Sequence, residues 1–312
     1  MKPAAVFYDP AFLLHDTGAH PENPARLTSI VDTLKHSSFA QRLAWPKFGP
    51  ASLEDLTAVH TEKHVAYIQA SCLGGSGNLD PDTVVCPASW EAAKLAAGAA
   101  CAAVNMVMKG EYGSAFCAVR PPGHHAEPAR AMGFCLFNNI AVAARRAITS
   151  GLAKRVAIID FDVHHGNGTQ AAFYEDPNVF FVSLHLAGHY PGTGWTDETG
   201  AEAGIGTTLN IPMSAGSGDQ EYMDHLETIA LPAVKKFGPN LIMVSAGFDA
   251  HAADPLGGMS LSTQGYYNIT STIKSLADEV CDGKVVSVLE GGYNIKALCD
   301  SAEAHVKALL GL

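Results

Sequence analysis

The stretch Val156-Ala157-Ile158-Ile159-Asp160-Phe161-Asp162-Val163-His164-His165-Gly166-Asn167-Gly168 joins a short apolar run to a cluster of carboxylates, imidazoles and glycines. A short run of β-branched and small apolar residues, followed at once by polar residues, is typical of a buried strand in a parallel sheet. Ligands of open α/β sheets bind outside the carboxyl ends of the strands. The stretch therefore predicts a parallel sheet with a functional site at one edge.

Six further apolar runs have the same character and alternate with longer segments of helical periodicity. The runs are residues 5–8, 115–119, 179–182, 209–211, 241–244 and 285–289. Helices are predicted near residues 25–36, 61–72, 88–108, 138–150, 168–175, 219–237, 262–281 and 295–311. This alternation predicts an α/β fold with a central, mainly parallel β-sheet flanked by helices on both faces. Because no linker or repeat interrupts the series, we expect residues 1–312 to form a single domain.

The composition limits the class of function. Among 312 residues, 20 are Lys or Arg and 31 are Asp or Glu, which gives a net charge of −11. Nucleic-acid binding needs basic patches that displace counterions from phosphates, so we expect no direct nucleic-acid binding. An acidic surface favours encounter with a cationic partner such as a lysine-rich peptide, although it also serves ordinary solubility.

Cysteine usage and the length of the apolar segments bear on the compartment. The seven cysteines are scattered and never spaced as Cys-x-x-Cys, which indicates neither a disulfide framework nor a thiolate zinc site. The first ten residues contain too short an apolar run for a signal peptide, and the stretch 95–108 is too short to cross a bilayer. We expect a cytoplasmic protein without membrane association.

Polar clusters follow four of the predicted strands. The clusters are residues 120–125, 160–168, 245–251 and 290–294. Because the carboxyl ends of parallel strands lie along one edge of a sheet, residues far apart in sequence can form a single site there.

Two carboxylates and an imidazole form a candidate metal-binding set. Asp160, Asp162 and His164 are two residues apart, so their side chains point the same way if the chain stays extended beyond the strand. Asp162, His164 and Asp249 would be three ligands with open positions for water and substrate, as in a catalytic Zn²⁺ site. Such a set also accepts Fe²⁺ or Co²⁺. Taken alone, the stretch has a second interpretation as a solvated turn with helix-capping residues at 166–169.

A histidine pair and a tyrosine follow two other strands. His124 and His125 come after a rigid Pro-Pro-Gly turn that could hold both rings near a metal-bound water, with one ring as general base. Asp160 and Asn167 are the available hydrogen-bond partners for these rings. Tyr293 follows two glycines and could donate to a developing oxyanion. Taken alone, the pair could be incidental surface residues and the tyrosine a core residue.

Seven motifs occur in order along the chain. They are Arg-Pro-Pro-Gly-His-His-Ala-Glu (120–127), Gly-Phe-Cys-Leu-Phe-Asn-Asn (133–139), Asp-Phe-Asp-Val-His-His-Gly-Asn-Gly-Thr-Gln (160–170), Val-Ser-Leu-His (182–185), Ala-Gly-Phe-Asp-Ala (246–250), Asp-Pro-Leu-Gly-Gly-Met (254–259) and Leu-Glu-Gly-Gly-Tyr (289–293). Together with His20-Pro21-Glu22 they span nearly the whole chain. The chain thus resembles the zinc-dependent histone deacetylase family, in particular its class II members and the bacterial histone deacetylase-like amidohydrolases.

The resemblance implies the arginase/deacetylase fold and a zinc-dependent hydrolysis of the amide of N-acetyl-lysine, or of a related acylated amine, that releases acetate. It implies that Asp162, His164 and Asp249 bind the zinc. It also implies that a metal-bound water attacks the acyl carbon and that Tyr293 stabilises the resulting oxyanion.

The resemblance further implies acid/base catalysis by the histidine pair. His125 matches the general base and acid, and His124 matches its electrostatic partner, supported by Asp160. Asn167 stands beside the general base, where class I enzymes have an aspartate and class II enzymes share the asparagine.

Two further groups of residues are assigned only by this resemblance. The substrate-binding residues it implies are Gly133, Phe134, Tyr190, Leu256, Asp82 and Arg26. The residues it implies for a structural K⁺ ion are Asp160, Asp162, His164, Ser183 and Leu184.

Other functions fit parts of the sequence. An acetylpolyamine or a longer-chain acyl-lysine is an alternative substrate, although Leu256 stands where polyamine-selective relatives carry a glutamate. A two-manganese ureohydrolase is disfavoured because the chain lacks the ligands for a second transition metal. A non-catalytic acyl-lysine-binding protein would be expected to have lost Tyr293, a zinc ligand or the histidine pair, and none is missing. The oligomeric state is not predicted.

Overall fold

The fold is built around one large parallel sheet, seen in a computed structural model that describes residues 3–312. The strands in chain order are β1 (Ala4–Phe7), β2 (Leu43–Ala44), β3 (Gly77–Asn78), β4 (Val84–Val85), β5 (Ser114–Cys117), β6 (Val156–Asp160), β7 (Val179–Leu186), β8 (Thr208–Met213), β9 (Leu241–Ala246) and β10 (Val285–Leu289). Within residues 3–312, eight of them form the sheet in the order β2-β1-β5-β10-β9-β6-β7-β8, with every neighbouring pair parallel. The short β3 and β4 pair separately and antiparallel.

Helices connect the strands. In chain order they are α1 (Pro24–His36), α2 (Leu53–Thr57), α3 (Glu62–Leu73), α4 (Ser89–Met108), α5 (Asn139–Thr149), α6 (Asn167–Phe173), α7 (Asp219–His225), α8 (Leu231–Phe237), α9 (Thr263–Val280) and α10 (Ile295–Leu309). Every residue of β1, β5, β6, β9 and β10 is buried, so helices cover both faces of the sheet. The predicted α/β fold class is therefore confirmed.

The predicted elements match the observed ones, with exceptions that have simple causes. All seven predicted strands are present within a few residues of their predicted bounds. The sequence did not reveal β2, β3 and β4, because two-residue strands have no readable periodicity. The segment predicted as one helix at 219–237 contains a π-helical turn at Leu226–Ala230 between α7 and α8.

Helix α4 is longer than the apolar stretch 95–108, which by itself is too short to cross a bilayer. It begins at Ser89, and its length and composition are those of a helix that could cross a membrane. In the structure it packs against α5 and against β1, β5 and β10, with most of its side chains buried. Its apolar character is thus accounted for by its place in the protein core.

Candidate active site

The four polar clusters meet at one edge of the sheet. Strands β5, β10, β9 and β6 are consecutive neighbours and run parallel, so the segments that follow them emerge side by side. This is the arrangement that the sequence predicted from the positions of the clusters. The site is therefore assembled by topology from residues more than a hundred positions apart.

The structure brings Asp162, His164 and Asp249 together. One ligand atom from each lies within 4.8 Å of the others. Nδ1 of His164 is 2.9 Å from Oδ1 of Asp162 and 3.3 Å from Oδ2 of Asp249. Asp162 and Asp249 are fully buried, and His164 is mostly buried. Two carboxylates and one imidazole are thus close enough to share one cation.

The backbone does not stay extended beyond β6, so the reason given above for their proximity is wrong. The strand ends at Asp160, and residues 162–164 form bends. The Asp162 N–H donates to Oδ1 of Asp160 at 3.1 Å, and the His164 N–H donates to Oδ1 of Asp162 at 2.9 Å. Aspartates commonly accept such bonds from a backbone N–H two residues on, and this turns the chain. Asp160 consequently points towards His124 and lies outside the group of three.

The residues present fit a divalent cation. Oδ2 of Asp249 is buried and has no hydrogen-bond partner among the residues that the structure describes. A methyl group at Gly291 would collide with this oxygen, and one at Gly247 would collide with Asp162, so glycines keep the space around the carboxylates clear. A buried carboxylate oxygen without a partner is costly unless an ion or water satisfies it.

The charges of these groups also favour a bound cation. Burial and the nearby charge of Asp162 raise the pKa of Asp249 to about 6. Burial alone would lower the pKa of His164, but the nearby carboxylates of Asp162 and Asp249 raise it to about 10. The buried carboxylates thus favour positive charge at this position, which a bound cation would supply.

The histidine pair lies beside this trio, and its two rings differ in environment. The ring centroids of His124 and His125 are 4.0 Å apart. Nδ1 of His124 donates to Oδ2 of Asp160 at 3.0 Å. Burial alone would lower the pKa of His124, but Asp162 and Asp160 raise it to about 10. Burial and the charge of His124 hold the pKa of His125 well below its usual range. One ring is therefore an imidazolium and its neighbour is neutral.

Asn167 fixes the tautomer of His125. The orientation of Asn167 is in turn fixed by Glu127, a residue without a predicted role. The Asn167 amide donates to Oε1 of Glu127 at 2.9 Å, so its carbonyl oxygen faces Nδ1 of His125 at 2.8 Å. Nδ1 must then carry the proton, which leaves Nε2 as the basic nitrogen. The only sequence signal for Glu127 was its place at the end of the His-His-Ala-Glu motif.

A second residue without a predicted role is Glu290, directly after β10. Its Oε2 accepts from the N–H groups of Gly123 and His124, at 2.7 and 3.1 Å. The sequence placed Glu290 in a polar cluster but assigned the cluster's function to Tyr293 alone. Glu290 thus contacts the turn that carries the histidine pair.

A pocket of about 240 Å³ opens onto the histidines and His164. Of the predicted substrate-binding residues, Asp82, Gly133, Phe134, Tyr190 and Leu256 line it. The Tyr190 ring meets the His125 ring edge-on at 5.0 Å, and the Phe134 ring meets the Tyr293 ring edge-on at 5.9 Å. Two aromatic rings, those of Phe134 and Tyr190, thus form part of the pocket wall.

Tyr293 lines the same pocket, and Arg26 lies behind it. Burial raises the pKa of Tyr293 well above its usual value, so the phenol keeps its proton. Arg26 is fully buried and is not part of the pocket lining. Its guanidinium donates to the carbonyl oxygens of Gly292 and Glu290 at 2.6 Å each and lies 4.9 Å from the Tyr293 ring centre. Arg26 therefore supports the segment that carries Tyr293 and does not line the pocket.

His189 also lines the pocket, although it belongs to none of the predicted site residues. Its ring stacks on that of His164 with centroids 5.0 Å apart, and its Nε2 is 3.0 Å from the carbonyl oxygen of Leu256. A lone histidine in a loop has no distinguishing pattern in one sequence, so only the fold reveals its position.

The residues predicted for K⁺ also lie near one another. Asp160 and Ser183 are directly opposite on the neighbouring strands β6 and β7, and Leu184 follows Ser183. Oγ of Ser183 is 2.9 Å from Nδ1 of His185. The proximity to Asp162 and His164 follows from the turn after β6, and the K⁺ site stays a prediction.

Carboxylate and imidazole side chains at the carboxyl ends of parallel strands place the protein among α/β proteins with a candidate metal site, and comparison with known proteins gives the family. Residues 20–309 match the histone deacetylase domain. The chain belongs to the histone deacetylase family and is a hydrolase of that type, which confirms the resemblance seen in the sequence.

Relatives and a solved structure agree with this assignment. The histone deacetylase-like amidohydrolase of Pseudomonas aeruginosa is 39% identical over 93% of this chain and 81% of its own. A probable deacetylase of Archaeoglobus fulgidus is 39% identical over 95% and 82%. The solved HDA15 HD domain superposes with a TM-score of 0.93 and is 39% identical, covering 99% of this chain and 91% of its own.

The relatives do not decide where in the cell this protein acts. The histone deacetylase 14 of Arabidopsis thaliana, 42% identical over 96% of this chain and 75% of its own, is described as chloroplastic. The cytoplasmic location stays a prediction.

Proposed function

We propose that this protein is a zinc-dependent deacetylase that hydrolyses the amide bond of an N-acetyl-lysine side chain and releases acetate. The observation that carries the proposal is a single pocket lined by His164 of the candidate metal trio, by a histidine pair of unlike charge and by a protonated tyrosine. Amide hydrolysis needs an activated water, a base that becomes an acid, and a donor to the oxyanion. Each requirement has a residue in this pocket.

Asp162, His164 and Asp249 would hold the metal. A bound divalent cation supplies Lewis-acid activation of water and of the acyl oxygen. Zinc is our first choice for a site of two carboxylates and one imidazole, and the same ligands accept Fe²⁺ or Co²⁺.

His125 is proposed to act as general base and then as general acid. Its Nε2 is unprotonated because Asn167 holds the proton on Nδ1, so Nε2 can take a proton from the attacking water. The same proton can then pass to the leaving amine. His124 stays an imidazolium because Asp160 and Asp162 surround it with negative charge. It thereby provides a fixed positive charge next to the reaction.

Tyr293 is proposed to donate its hydroxyl hydrogen bond to the acyl oxygen as negative charge develops there. Its backbone N–H donates to Oδ2 of Asp254 at 2.6 Å, and this bond holds the backbone of Tyr293 in place. The guanidinium of Arg26 lies over the ring, 4.9 Å from its centre, and its positive charge favours negative charge beside the phenol.

The shape of the pocket supports a lysine-like substrate. The Phe134 and Tyr190 rings would flank an aliphatic chain, with Gly133 allowing the close approach of His125. Asp82 at the pocket would accept from a substrate backbone N–H or attract a cationic peptide. Leu256 presents an apolar side chain there, and this disfavours the distal amine of an acetylpolyamine.

A structural K⁺ ion is proposed at the ends of β6 and β7. Its ligands would be Asp160, Asp162, His164, Ser183 and Leu184. The support is the register that sets Asp160 beside Ser183.

A turnover screen tests the proposal. Zinc-loaded protein is given acetyl-lysine peptides, longer-chain acyl-lysine peptides and acetylpolyamines, and released acid is measured beside Tyr293→Phe. We expect acetyl-lysine peptides to be hydrolysed fastest and the variant to be strongly impaired. Preference for a longer acyl group or for a polyamine would replace the substrate assignment. Equal, negligible rates for wild type and variant on every compound would refute deacetylation and favour a binding protein.

A further inference from the structure

Glu290 lies completely buried directly after β10, beneath the turn that carries the histidine pair. Its Oε2 accepts two backbone hydrogen bonds, from Gly123 at 2.7 Å and from His124 at 3.1 Å. Among residues 3–312, this oxygen is the one acceptor for both N–H groups. Without it, two buried donors of the turn would lack partners, which is costly.

The turn is held from two other directions as well. The Asn139 side chain donates to the carbonyl oxygen of Pro121 at 3.0 Å, and the Thr169 N–H donates to that of His124 at 3.2 Å. These contacts satisfy acceptors of the turn, whereas Glu290 satisfies its donors. Glu290 therefore has a task that neither neighbour can take over.

The same residue is tied to the other parts of the site. Its carbonyl oxygen accepts from Arg26, and the next N–H, that of Gly291, donates to Oδ2 of Asp162 at 2.9 Å. Tyr293 is three residues further on. One short segment thus joins the histidine turn, a candidate metal ligand and the candidate oxyanion donor.

The second carboxylate oxygen of Glu290 takes no part in the bonds to Gly123 and His124. Oε1 is buried and has no partner among the described residues. The hydrogen bonds from Gly123 and His124 therefore need only one acceptor oxygen, provided that the side chain is as long as that of Glu290. An amide of the same length could accept both bonds, and a shorter carboxylate could not reach them.

We infer that Glu290 is a positioning residue for the reaction, which holds His124 and His125 against the metal trio through the backbone of Gly123 and His124. The expected effect of Glu290 on kcat rests on the proposed function. Its support of the Gly123 and His124 backbone does not. Glu290 itself touches neither substrate nor metal in this role. What matters is the reach of its acceptor oxygen, not its charge.

Two substitutions separate reach from charge. Glu290→Gln keeps the reach and removes the charge, and Glu290→Asp keeps the charge and removes the reach. On zinc-loaded full-length protein with an acetyl-lysine peptide, we expect Glu290→Gln to keep kcat within about threefold of wild type. We expect Glu290→Asp to lower kcat about 10- to 100-fold, with KM nearly unchanged. This is the usual loss when a residue that orients the groups at an active site is replaced.

Hydrogen exchange of the amides of Gly123 and His124 provides a readout that needs no turnover. Exchange should accelerate in Glu290→Asp and stay slow in Glu290→Gln. If wild type does not hydrolyse the peptide, the proposed function fails, and this exchange pattern still decides the positioning role. Loss of activity in Glu290→Gln with retention in Glu290→Asp would overturn the inference in favour of a charge effect. Unchanged exchange in both variants would overturn it as well.

Discussion

Oδ2 of Asp249 lies 3.3 Å from Nδ1 of His164 and is buried without a hydrogen-bond partner in the part of the chain that the structure describes. The Oδ1 atom of the same carboxylate accepts from the Val163 N–H at 3.0 Å. One oxygen thus fixes the side chain while the other is left for a ligand. This division fits a metal-binding aspartate and does not fit an aspartate whose task is only structural.

Replacing Asp249 by Asn should abolish tight metal binding without unfolding the protein. The amide oxygen of Asn can still accept from Val163, and the repulsion between the buried carboxylates of Asp249 and Asp162 is removed. We therefore expect metal affinity to fall at least about 100-fold, and the metal-free variant to be as stable as metal-free wild type, or more so. Metal content per chain and thermal denaturation with and without zinc measure both effects.

Asp197→Asn is a matched control for this experiment, since Asp197 is exposed. It should bind one zinc per chain and gain the same thermal stability from zinc as wild type. A metal content of Asp249→Asn equal to that of the control would remove Asp249 from the metal site.

Tyr293→Phe should lower kcat about 100- to 1000-fold, the usual cost of one oxyanion donor, because the variant keeps the ring and loses the hydroxyl. KM and metal content should stay close to wild type. Tyr222→Phe is the control, since the Tyr222 hydroxyl is also buried but has no hydrogen-bond partner within residues 3–312. Steady-state kinetics of both variants test this prediction, which fails if the two substitutions have the same effect.

Glu198→Ala should weaken substrate binding more than catalysis. Oε1 of Glu198 accepts from the N–H groups of Gly194 and Trp195 at 3.1 and 3.0 Å, and Oε2 accepts from Gln170 at 2.6 Å. These bonds hold the loop that carries Tyr190.

Their loss should loosen one wall of the pocket and raise KM about tenfold, with a smaller change in kcat. The adjacent Asp197→Ala is the control for the loop. A fall in kcat at constant KM would show that Glu198 acts on the chemistry and not on the pocket wall.

Glu22 should make stability depend on pH in the acid range. Burial alone would raise the pKa of its carboxyl, but contacts with Arg120, at 2.5 and 2.7 Å, and with Arg26 and His15 lower it from 4.5 to about 2. Because the folded pKa is the lower one, the stabilisation is fully present above about pH 4.5 and disappears as the pH falls towards 2.

Glu22→Gln should therefore cost about 3 kcal/mol of unfolding free energy at pH 7. The difference from wild type should shrink progressively below pH 4.5. Urea denaturation of both proteins between pH 3 and 7 measures it. A difference that stays constant over this range would mean that Glu22 does not titrate with the expected pKa.

The sequence was sufficient for the fold and for the grouping of the site because both depend on regular patterns. Buried parallel strands have continuous apolar runs, and the polar residues that follow Val119, Ile159, Val244 and Leu289 must share an edge once the sheet is parallel.

Contacts made by loops were not predictable in the same way. The position of the Asp160 side chain depends on the groups from which its carboxylate accepts hydrogen bonds. No periodicity in the sequence predicts these partners. Arg26, expected near the substrate, is turned towards backbone carbonyls and Glu22. The roles of Glu127 and Glu290 depend on partners 40 and 167 positions away in sequence, which one sequence does not reveal.

If the proposed function is right, acetyl-lysine hydrolysis depends on one metal ion held by Asp162, His164 and Asp249. This dependence can be measured as acetate release from an acetyl-lysine peptide by chelator-stripped protein while zinc is added back in steps. We predict no release without metal, a linear rise to a plateau at one equivalent per chain, and no restoration in Asp249→Asn at that ratio. Equal acetate release by the stripped protein and the zinc-loaded protein would contradict the account.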